Sequence, residues 1–246
     1  AALGVNDEAK GATDPEGVRT TAVRLVTRLV AAFAVARGMP LAPSASGPMA
    51  ARVLSALGGR VDASSARMTG RALVLSAEHD LNASTFAARV AASTGADLYA
   101  VVGAGVATLS GPKHGGMTDR VDAIFRAGFS PGEASIPGFG HPLYRHGDPR
   151  TLPLLAAARE RASRGSELEA VFAGIDAMAA RRRLAPTLDV GLAATSLALG
   201  LAPGLASMLF ALGRTAGWIA HALEQYGIGE LIRPRARYVG PAPEEG

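Results

Sequence analysis

The sequence of 246 residues contains no cysteine, which excludes disulfide bonds and thiolate catalysis and fits a reducing cytoplasm. Aromatic residues are also scarce, at 5%, although hydrophobic residues make up 48% of the chain. The core must therefore be built mainly from alanine, leucine and valine, and such small side chains suit packed helices better than a β-sandwich. Because the sequence also lacks the alternating apolar pattern of strands and any internal repeat, it predicts an all-α fold.

Apolar runs long enough to cross a bilayer are missing as well, since a membrane-spanning helix takes ~20 residues. The uncharged run at 190–213 is interrupted by Gly200, Pro203 and Gly204, and the run at 98–112 is too short. Both are expected to form buried core helices. The chain starts without the basic stretch and apolar run of a signal peptide. We therefore expect no membrane partner.

Acidic residues are outnumbered by lysine and arginine, 21 against 25, so the formal net charge is +4 at pH 7. The arginines are dispersed and form no basic patch with interleaved aromatic residues, so a nucleic-acid partner is not expected. A cluster of arginine and histidine around an anionic small molecule explains the excess equally well. A nucleic-acid-binding protein is the alternative that rests on charge alone, and it predicts an affinity that falls steeply with salt.

Helix-capping side chains, apolar periodicity and glycines predict where the helices begin and end. An Asp-Pro-Glu sequence at 14–16 begins the first helix, and Gly38 ends it. The buried face of this helix is expected to consist of Val23, Val26, Val30 and Phe33. After a loop at 39–48, further helices are expected at about 49–57, 82–93, 98–109, from 117 onward, 152–163, 166–180, 190–199 and 203–226.

A first candidate site residue is His114, in the segment GPKHGG at 111–116. The glycines turn the chain sharply before a helix that is expected to begin near Met117. The partial positive charge of a helix N-terminus disfavours imidazolium, so this histidine is expected to be neutral. A neutral imidazole with a free N–H can stabilise a developing enolate oxygen. The alternative is a helix start that contains a histidine by chance.

The segment PGFGHPLYRHGDPR at 137–150 is rich in glycine and in basic side chains. Its first glycines let a ligand approach the backbone closely. His141 and Arg150 are separated by a turn-rich stretch, so they can converge on one carboxylate or ketone. The alternative is a surface loop, which the concentration of basic residues and the Asp-Pro-Arg turn disfavour.

Two further charges adjoin apolar helices. Asp189 is the last charge before the apolar run at 190–213, so its carboxylate is either a helix cap or a base with a raised pKa. Arg214 follows that run inside an apolar helical stretch, where a lone buried charge is costly. It needs an anionic partner, which is either a structural carboxylate or a dicarboxylate substrate.

These segments, in this order, resemble the citrate synthase family. Residues 76–116, ending in PKHGG, are similar to its dimer-interface helices with the first two active-site histidines. Residues 137–150 resemble its glycine-rich substrate loop, and the TLD sequence at 187–189 resembles its catalytic Asn-Val-Asp turn. The C-terminal stretch that ends in IRPRARYVG is similar to the last helix and terminal arginine segment of the family. The match runs from about His79 to Gly240.

The resemblance implies the condensation of acetyl-CoA with oxaloacetate, followed by hydrolysis of the thioester to citrate and CoA. It implies three catalytic residues: His114 stabilises the enol, Asp189 removes the methyl proton, and His141 polarises and protonates the ketone. It further implies that oxaloacetate is bound by His79, Arg150, Arg214 and, from the neighbouring subunit of a homodimer, Arg233. CoA phosphates are expected near Arg145 and Arg182. No metal and no tightly bound cofactor is expected, because CoA is a co-substrate.

The same resemblance implies two helical domains with the active site in the cleft between them. Residues 1–117 and 206–246 are expected to form the large domain, and residues 118–205 the small one, which closes over the substrates to exclude water.

Three departures from the family pattern are visible. This chain lacks most of the family's longer N-terminal region, Thr187 stands where the family has asparagine, and Pro142 directly follows His141. His146 and His221 match no functional position and are expected to be structural. The alternatives are a 2-methylcitrate synthase that uses propionyl-CoA, and a non-catalytic subunit that binds ligand only.

Overall fold

The computed structural model describes residues 2–38, 47–128 and 137–241, and it confirms the all-α fold. A short 3₁₀ turn, Ala2–Gly4, precedes the α-helices. In the described residues these are α1 (Pro15–Ala36), α2 (Met49–Ala56), α3 (Ala63–Ala77), α4 (Ala83–Ser93), α5 (Leu98–Leu109), α6 (Gly116–Gly128), α7 (Thr151–Arg159), α8 (Glu167–Arg182), α9 (Leu188–Ala198) and α10 (Leu205–Ile228). The only β-type pairing in these ranges is an isolated antiparallel bridge between Phe139 and Pro186.

Local capping explains where several helices begin. The side chain of Asp14 accepts a hydrogen bond from the backbone N–H of Gly17 at the start of α1, as the sequence predicts. Asn82 likewise caps α4 through the N–H of Thr85. The predicted bounds of α5 are confirmed to the residue, with Asp97 as its capping side chain.

Helix α10 lies at the centre of the molecule and packs against α3, α4, α5 and α9. Glycines make the approach of α3 possible, because a Cβ atom at Gly213 would lie 2.6 Å from the carbonyl oxygen of Leu73. A Cβ at Gly217 would overlap the carbonyl of Ala77. On the other side, Gly105 of α5 lies against the ring of the buried Trp218, so the absence of a side chain at this position allows close helix contact. These contacts place Arg214 beside the end of α3.

Three predictions about the helices were wrong. Helix α3 was not predicted, because its buried face includes the hydroxyl residues Ser65, Thr69 and Ser76 and so lacks an apolar period. The seventh helix ends at Arg159, earlier than expected, because the chain then turns more tightly, with the N–H of Arg161 donating to Ala158 O. Val23 is 69% exposed, and the buried face of α1 is formed by Val18, Thr21, Leu25, Val30 and Ala34. Most of the predicted loop at 39–48 lies outside the described residues.

Candidate active site

A cavity of about 640 Å³ lies where α6, α9 and α10 meet the segment that follows α3 and the loop at 137–150. Among its lining residues are six of those predicted to act on substrate: His79, His114, His141, Arg150, Asp189 and Arg214. Residues far apart in the sequence therefore share one cavity. Arg145 and Arg233 are exposed and are not among the lining residues, and the side chain of Arg182 lies outside the described part of the chain.

Asp189 lies in the first turn of α9, where Thr187 occupies the capping position without a side-chain capping bond. Of the two alternatives for Asp189, the helix cap is therefore wrong. Its carboxylate instead accepts one hydroxyl hydrogen bond on each oxygen, from Thr118 Oγ1 to Oδ1 at 2.6 Å and from Thr187 Oγ1 to Oδ2 at 3.0 Å. Burial raises the pKa of Asp189 above its ordinary value, and these two bonds oppose the rise.

The loop that carries His141 is tied to the segment that carries Asp189. The N–H of Gly140 donates to Ala185 O at 2.8 Å, and the N–H of Thr187 donates to Gly138 O at 2.8 Å. Gly138 has a φ of 88°, and a Cβ atom there would lie 2.8 Å from side-chain carbons of Val121 and Val190. Only glycine fits this position without strain. The pairing fixes the imidazole and the carboxylate on the same wall of the cavity.

The tautomer of neutral His141 follows from its contacts. The backbone N–H of Leu143 donates to His141 Nδ1 at 3.1 Å, so the ring proton of the neutral form is on Nε2. The ring lies edge-on to His79, with a centroid distance of 5.5 Å, and 5.1 Å from the ring of Tyr144. Tyr144 in turn lies under the guanidinium of Arg150 at 5.6 Å. His141 therefore has an N–H available as a donor on Nε2.

His114 precedes α6 by two residues, as predicted, and is held by Ser84. Its Nε2 lies 2.8 Å from Ser84 Oγ, which also lies 2.9 Å from Asn82 Oδ1 and accepts from Trp218 Nε1 at 3.3 Å. The single hydroxyl hydrogen of Ser84 has two possible acceptors, Asn82 Oδ1 and His114 Nε2. When it goes to Nε2, the neutral ring carries its proton on Nδ1, which makes no hydrogen bond within the described residues.

His79 and His114, which are half-buried in the cavity, are neutral at pH 7. The pKa of His114 falls from 6.5 to about 4, mainly because of burial and then because of the charge of Arg214. The expected neutral state is thus confirmed, although the physical cause differs from the helix terminus that the sequence suggested. Burial and the charges of Arg150 and Arg214 likewise lower the pKa of His79 to about 4. His79 Nε2 is buried without a hydrogen-bond partner among the described residues.

The two guanidinium groups of the cavity have unused donors. Arg214 is only 1% exposed, and its Nε donates to Ser76 O at 2.7 Å, but Nη1 and Nη2 have no partner within the described ranges. Arg150 donates to both oxygens of Asp148, at 2.9 and 2.6 Å, while its Nη1 is buried and unpaired. Burial and the charge of Arg150 lower the pKa of Arg214 to about 10. Buried guanidinium N–H groups without partners create a site for a small anion with carboxylate groups.

Three residues of the site were not predicted from the sequence: Ser84, Thr118 and Tyr144. Ser84 and Thr118 each lie near a helix start, where a hydroxyl residue is usually interpreted as part of a cap. Tyr144 lies inside the predicted substrate loop and contacts His79, His141 and Arg150 through its ring. Each of the three lies within a few residues of a candidate histidine in the sequence, and this is the signal by which it could have been found.

Two histidines that are expected to be structural lie outside the cavity, and contacts support this role for His221 alone. His146 is exposed, and His221 contacts Arg89 at 2.8 Å and Glu78 at 3.3 Å. Within the described ranges, no group of three or more histidine, cysteine or acidic residues is arranged to hold a metal ion. No helix in the same ranges has the length and apolarity needed to cross a membrane.

Comparison with known proteins gives one consistent result. A family model described as "Citrate synthase, C-terminal domain" matches residues 1–235. The chain is 35% identical to "Citrate synthase 2" of Bacillus subtilis, with 97% of this chain and 70% of that protein covered. It is 33% identical to "2-methylcitrate synthase 2" of Corynebacterium glutamicum, with 99% and 70% covered.

The fold is similar to that of a citrate synthase from Thermoplasma acidophilum, whose structure is a ternary complex with carboxymethyl coenzyme A and oxaloacetate. The TM-score is 0.83 and the sequence identity is 27%, and the match covers 100% of this chain and 71% of that one. The family model and the two relatives cover nearly the whole chain, and the fold agrees with them. The chain therefore belongs to the citrate synthase family.

Proposed function

We propose that this chain condenses acetyl-CoA with oxaloacetate and hydrolyses the resulting thioester, which gives citrate and CoA. The observation that carries the proposal is the cavity in which Asp189, His114 and His141 meet beside two guanidinium groups with unpaired donors. Condensation requires a base beside an enolate stabiliser, and a dianionic substrate requires several cations to leave water. The cavity has all of these groups.

In the first step, Asp189 removes a proton from the methyl group of acetyl-CoA. A base is most effective when its pKa approaches the working pH, and burial raises the pKa of Asp189 in that direction. The negative charge that develops on the thioester oxygen is stabilised by an N–H of neutral His114. This donor is Nδ1–H when Ser84 gives its hydroxyl hydrogen to Nε2. A preorganised donor of this kind contributes roughly 10²–10³-fold to the rate.

In the second step, the enolate carbon attacks the ketone carbon of oxaloacetate and a carbon–carbon bond forms. His141 donates its Nε2 proton to the ketone oxygen as negative charge develops on that oxygen. The contact with the Leu143 N–H supports the tautomer that carries the proton on Nε2. Water then attacks the citryl thioester carbonyl and returns a proton to His141. The carbon–sulfur bond breaks as the proton held by Asp189 passes to the sulfur, so CoA leaves as the thiol and Asp189 is again ionised.

Binding of oxaloacetate is assigned to Arg150, Arg214 and His79. The unpaired Nη atoms support the two arginine roles, because guanidinium forks match carboxylates. Arg233 is proposed to complete the site of the neighbouring subunit in a homodimer, which its exposed position in the extended segment after α10 allows. Arg145 and Arg182 are proposed to contact CoA phosphates.

The cavity is also proposed to lie between two domains, residues 1–117 with 206–246 and residues 118–205. His79, His114 and Arg214 belong to the first part, and His141, Arg150 and Asp189 to the second. This division supports a mechanism in which the small domain closes to exclude water during enolisation. The lack of cysteine supports a cytoplasmic setting, where citrate formation is a step of the tricarboxylic acid cycle.

The second candidate function is 2-methylcitrate synthesis from propionyl-CoA, favoured by the similarity to the Corynebacterium glutamicum protein. A non-catalytic ligand-binding subunit is disfavoured by the joint presence of Asp189, His114 and His141 in one cavity. A free-thiol release assay with acetyl-CoA and with propionyl-CoA, each with and without oxaloacetate, tests all three. We expect oxaloacetate-dependent release that Asp189→Ala abolishes, and equal release from that variant would remove Asp189 from the mechanism.

A further inference from the structure

Two threonines from different parts of the chain bind the same carboxylate. Thr118, in the first turn of α6, donates to Asp189 Oδ1 at 2.6 Å, and Thr187, immediately before α9, donates to Oδ2 at 3.0 Å. Thr118 is fully buried and Thr187 is 6% exposed. Neither hydroxyl makes the usual helix bond to a carbonyl one turn earlier, in contrast to Thr195 of α9, whose hydroxyl donates to Gly191 O at 2.8 Å.

The arrangement favours one protonation state of Asp189. An ionised carboxylate accepts on both oxygens, whereas a protonated carboxyl group must use one oxygen as a donor. With a hydroxyl donor already on each oxygen, protonation of Asp189 weakens the bond to the oxygen that takes the proton. Burial acts in the opposite direction and favours the neutral acid.

We propose that Thr118 and Thr187 are positioning residues that keep Asp189 ionised and hold its carboxylate in a fixed orientation for removal of the substrate proton. This inference rests on the proposed function, in which Asp189 is the base. The ionised form is the only one that can accept a proton, and a fixed carboxylate needs no reorientation when acyl-CoA binds.

Other ionisable groups also face Asp189, and they would be unchanged in threonine variants. The remaining ionisable residues that line the cavity come from the segment after α3, the segment before α6, the loop at 137–150 and helix α10. They are His79, Lys113, His114, His141, Asp148, Arg150 and Arg214. Of these, Arg150 lowers the pKa of Asp189 by its charge, although less than the threonine bonds do. A shift seen only when a threonine hydroxyl is removed is therefore attributable to that hydroxyl.

The test is the pH profile of kcat/KM for acetyl-CoA at saturating oxaloacetate. Thr118→Val and Thr187→Val remove one hydroxyl each at nearly constant volume. The acidic limb of the profile is expected to move up by about one pH unit for each variant, which is a roughly tenfold loss of kcat/KM below the limb. Thr118→Ser and Thr187→Ser keep a hydroxyl and are expected to restore the limb. Thr195→Val is the matched control in α9 and should leave the limb unchanged.

The outcomes distinguish a failure of the proposed function from a failure of the positioning role of the two threonines. If the wild-type chain shows no oxaloacetate-dependent thiol release, the proposed function fails whatever the threonine variants do. If the wild type is active and Thr187→Val has an unshifted limb, the positioning role is overturned. Thr187→Val is the decisive variant, because the Thr187 side chain makes no capping bond and its loss does not remove a helix contact. An equal shift in Thr195→Val would also overturn the inference, since a general loss of packing would then explain it.

Discussion

Replacement of Arg214 by methionine is expected to stabilise the free protein while it abolishes productive binding of oxaloacetate. The fall in the pKa of Arg214 from 12.5 to about 10 means that keeping the charge in this buried position costs ~3 kcal/mol. Methionine fills similar space and carries no charge. Such a gain is the general result when a buried charge without a full set of partners is replaced by an apolar side chain.

Two favourable contacts are lost in the same substitution. The hydrogen bond from Nε to Ser76 O contributes ~1 kcal/mol, and the stacking of the guanidinium 5.1 Å from the Phe210 ring contributes less than ~1 kcal/mol. The net gain expected for Arg214→Met is therefore ~1–2 kcal/mol in the free energy of unfolding. Urea denaturation without ligand measures it directly.

The ligand reverses the order of stability. Oxaloacetate at 100 times its Kd should stabilise the wild type by ~2.7 kcal/mol and should leave Arg214→Met almost unchanged. Arg126→Met is the matched control, because Arg126 is paired with the buried Asp122 at 3.0 Å, and its removal should cost ~3 kcal/mol. The reasoning is refuted if Arg214→Met is less stable than the wild type without ligand, or if oxaloacetate stabilises both to the same extent.

Three further outcomes follow from the same contacts. Ser84→Ala removes the group that orients His114, so kcat should fall by up to about 10²-fold while the KM for oxaloacetate changes little; a fall in substrate affinity alone would contradict this role. The pKa values of His79 and His114 are about 4 in the native protein against 6.5 in the unfolded chain. The free energy of unfolding should therefore be highest, as far as these two residues affect it, above pH 6.5, and it should decline as the pH falls towards 4. A double histidine-to-asparagine variant should show a shallower decline in urea midpoints over this range, and identical slopes would exclude the effect. Gly138→Ala should lower both stability and kcat by forcing a Cβ against two valines, whereas Gly95→Ala, with a similar φ of 76° but open space around it, separates strain from clash.

The parts of the fold that the sequence predicts well are those governed by local rules. The bounds of α5 were predicted to the residue, because its apolar run is uniform and because Asp97 and Ser110 mark the two ends of the helix. Helix α3 was missed, since its buried face carries hydroxyl residues such as Thr69, whose hydroxyl donates to Ser65 O at 2.9 Å within the same helix. Periodicity of apolar residues does not detect a face of that kind.

Motif and order identified six of the residues that line the cavity, whereas the contacts between these residues were not predicted. No sequence pattern indicates that both Nη atoms of Arg214 are unpaired. None indicates that Thr118 donates to Asp189, because the two residues are 71 positions apart in the chain. The neutral state of His114 was predicted from the helix start, but burial and Arg214 cause it. Burial depends on the packing of the whole chain, which local rules do not specify.

The most direct test of the account follows a carbon label. The chain is incubated with oxaloacetate and acetyl-CoA labelled with carbon-13 in the methyl group, and the products are observed by NMR. The account predicts that the label appears in a methylene carbon of citrate, and that Asp189→Asn stops its appearance. Recovery of the label as acetate, or as unchanged acetyl-CoA with the wild-type chain, would contradict the claim that this cavity forms a carbon–carbon bond.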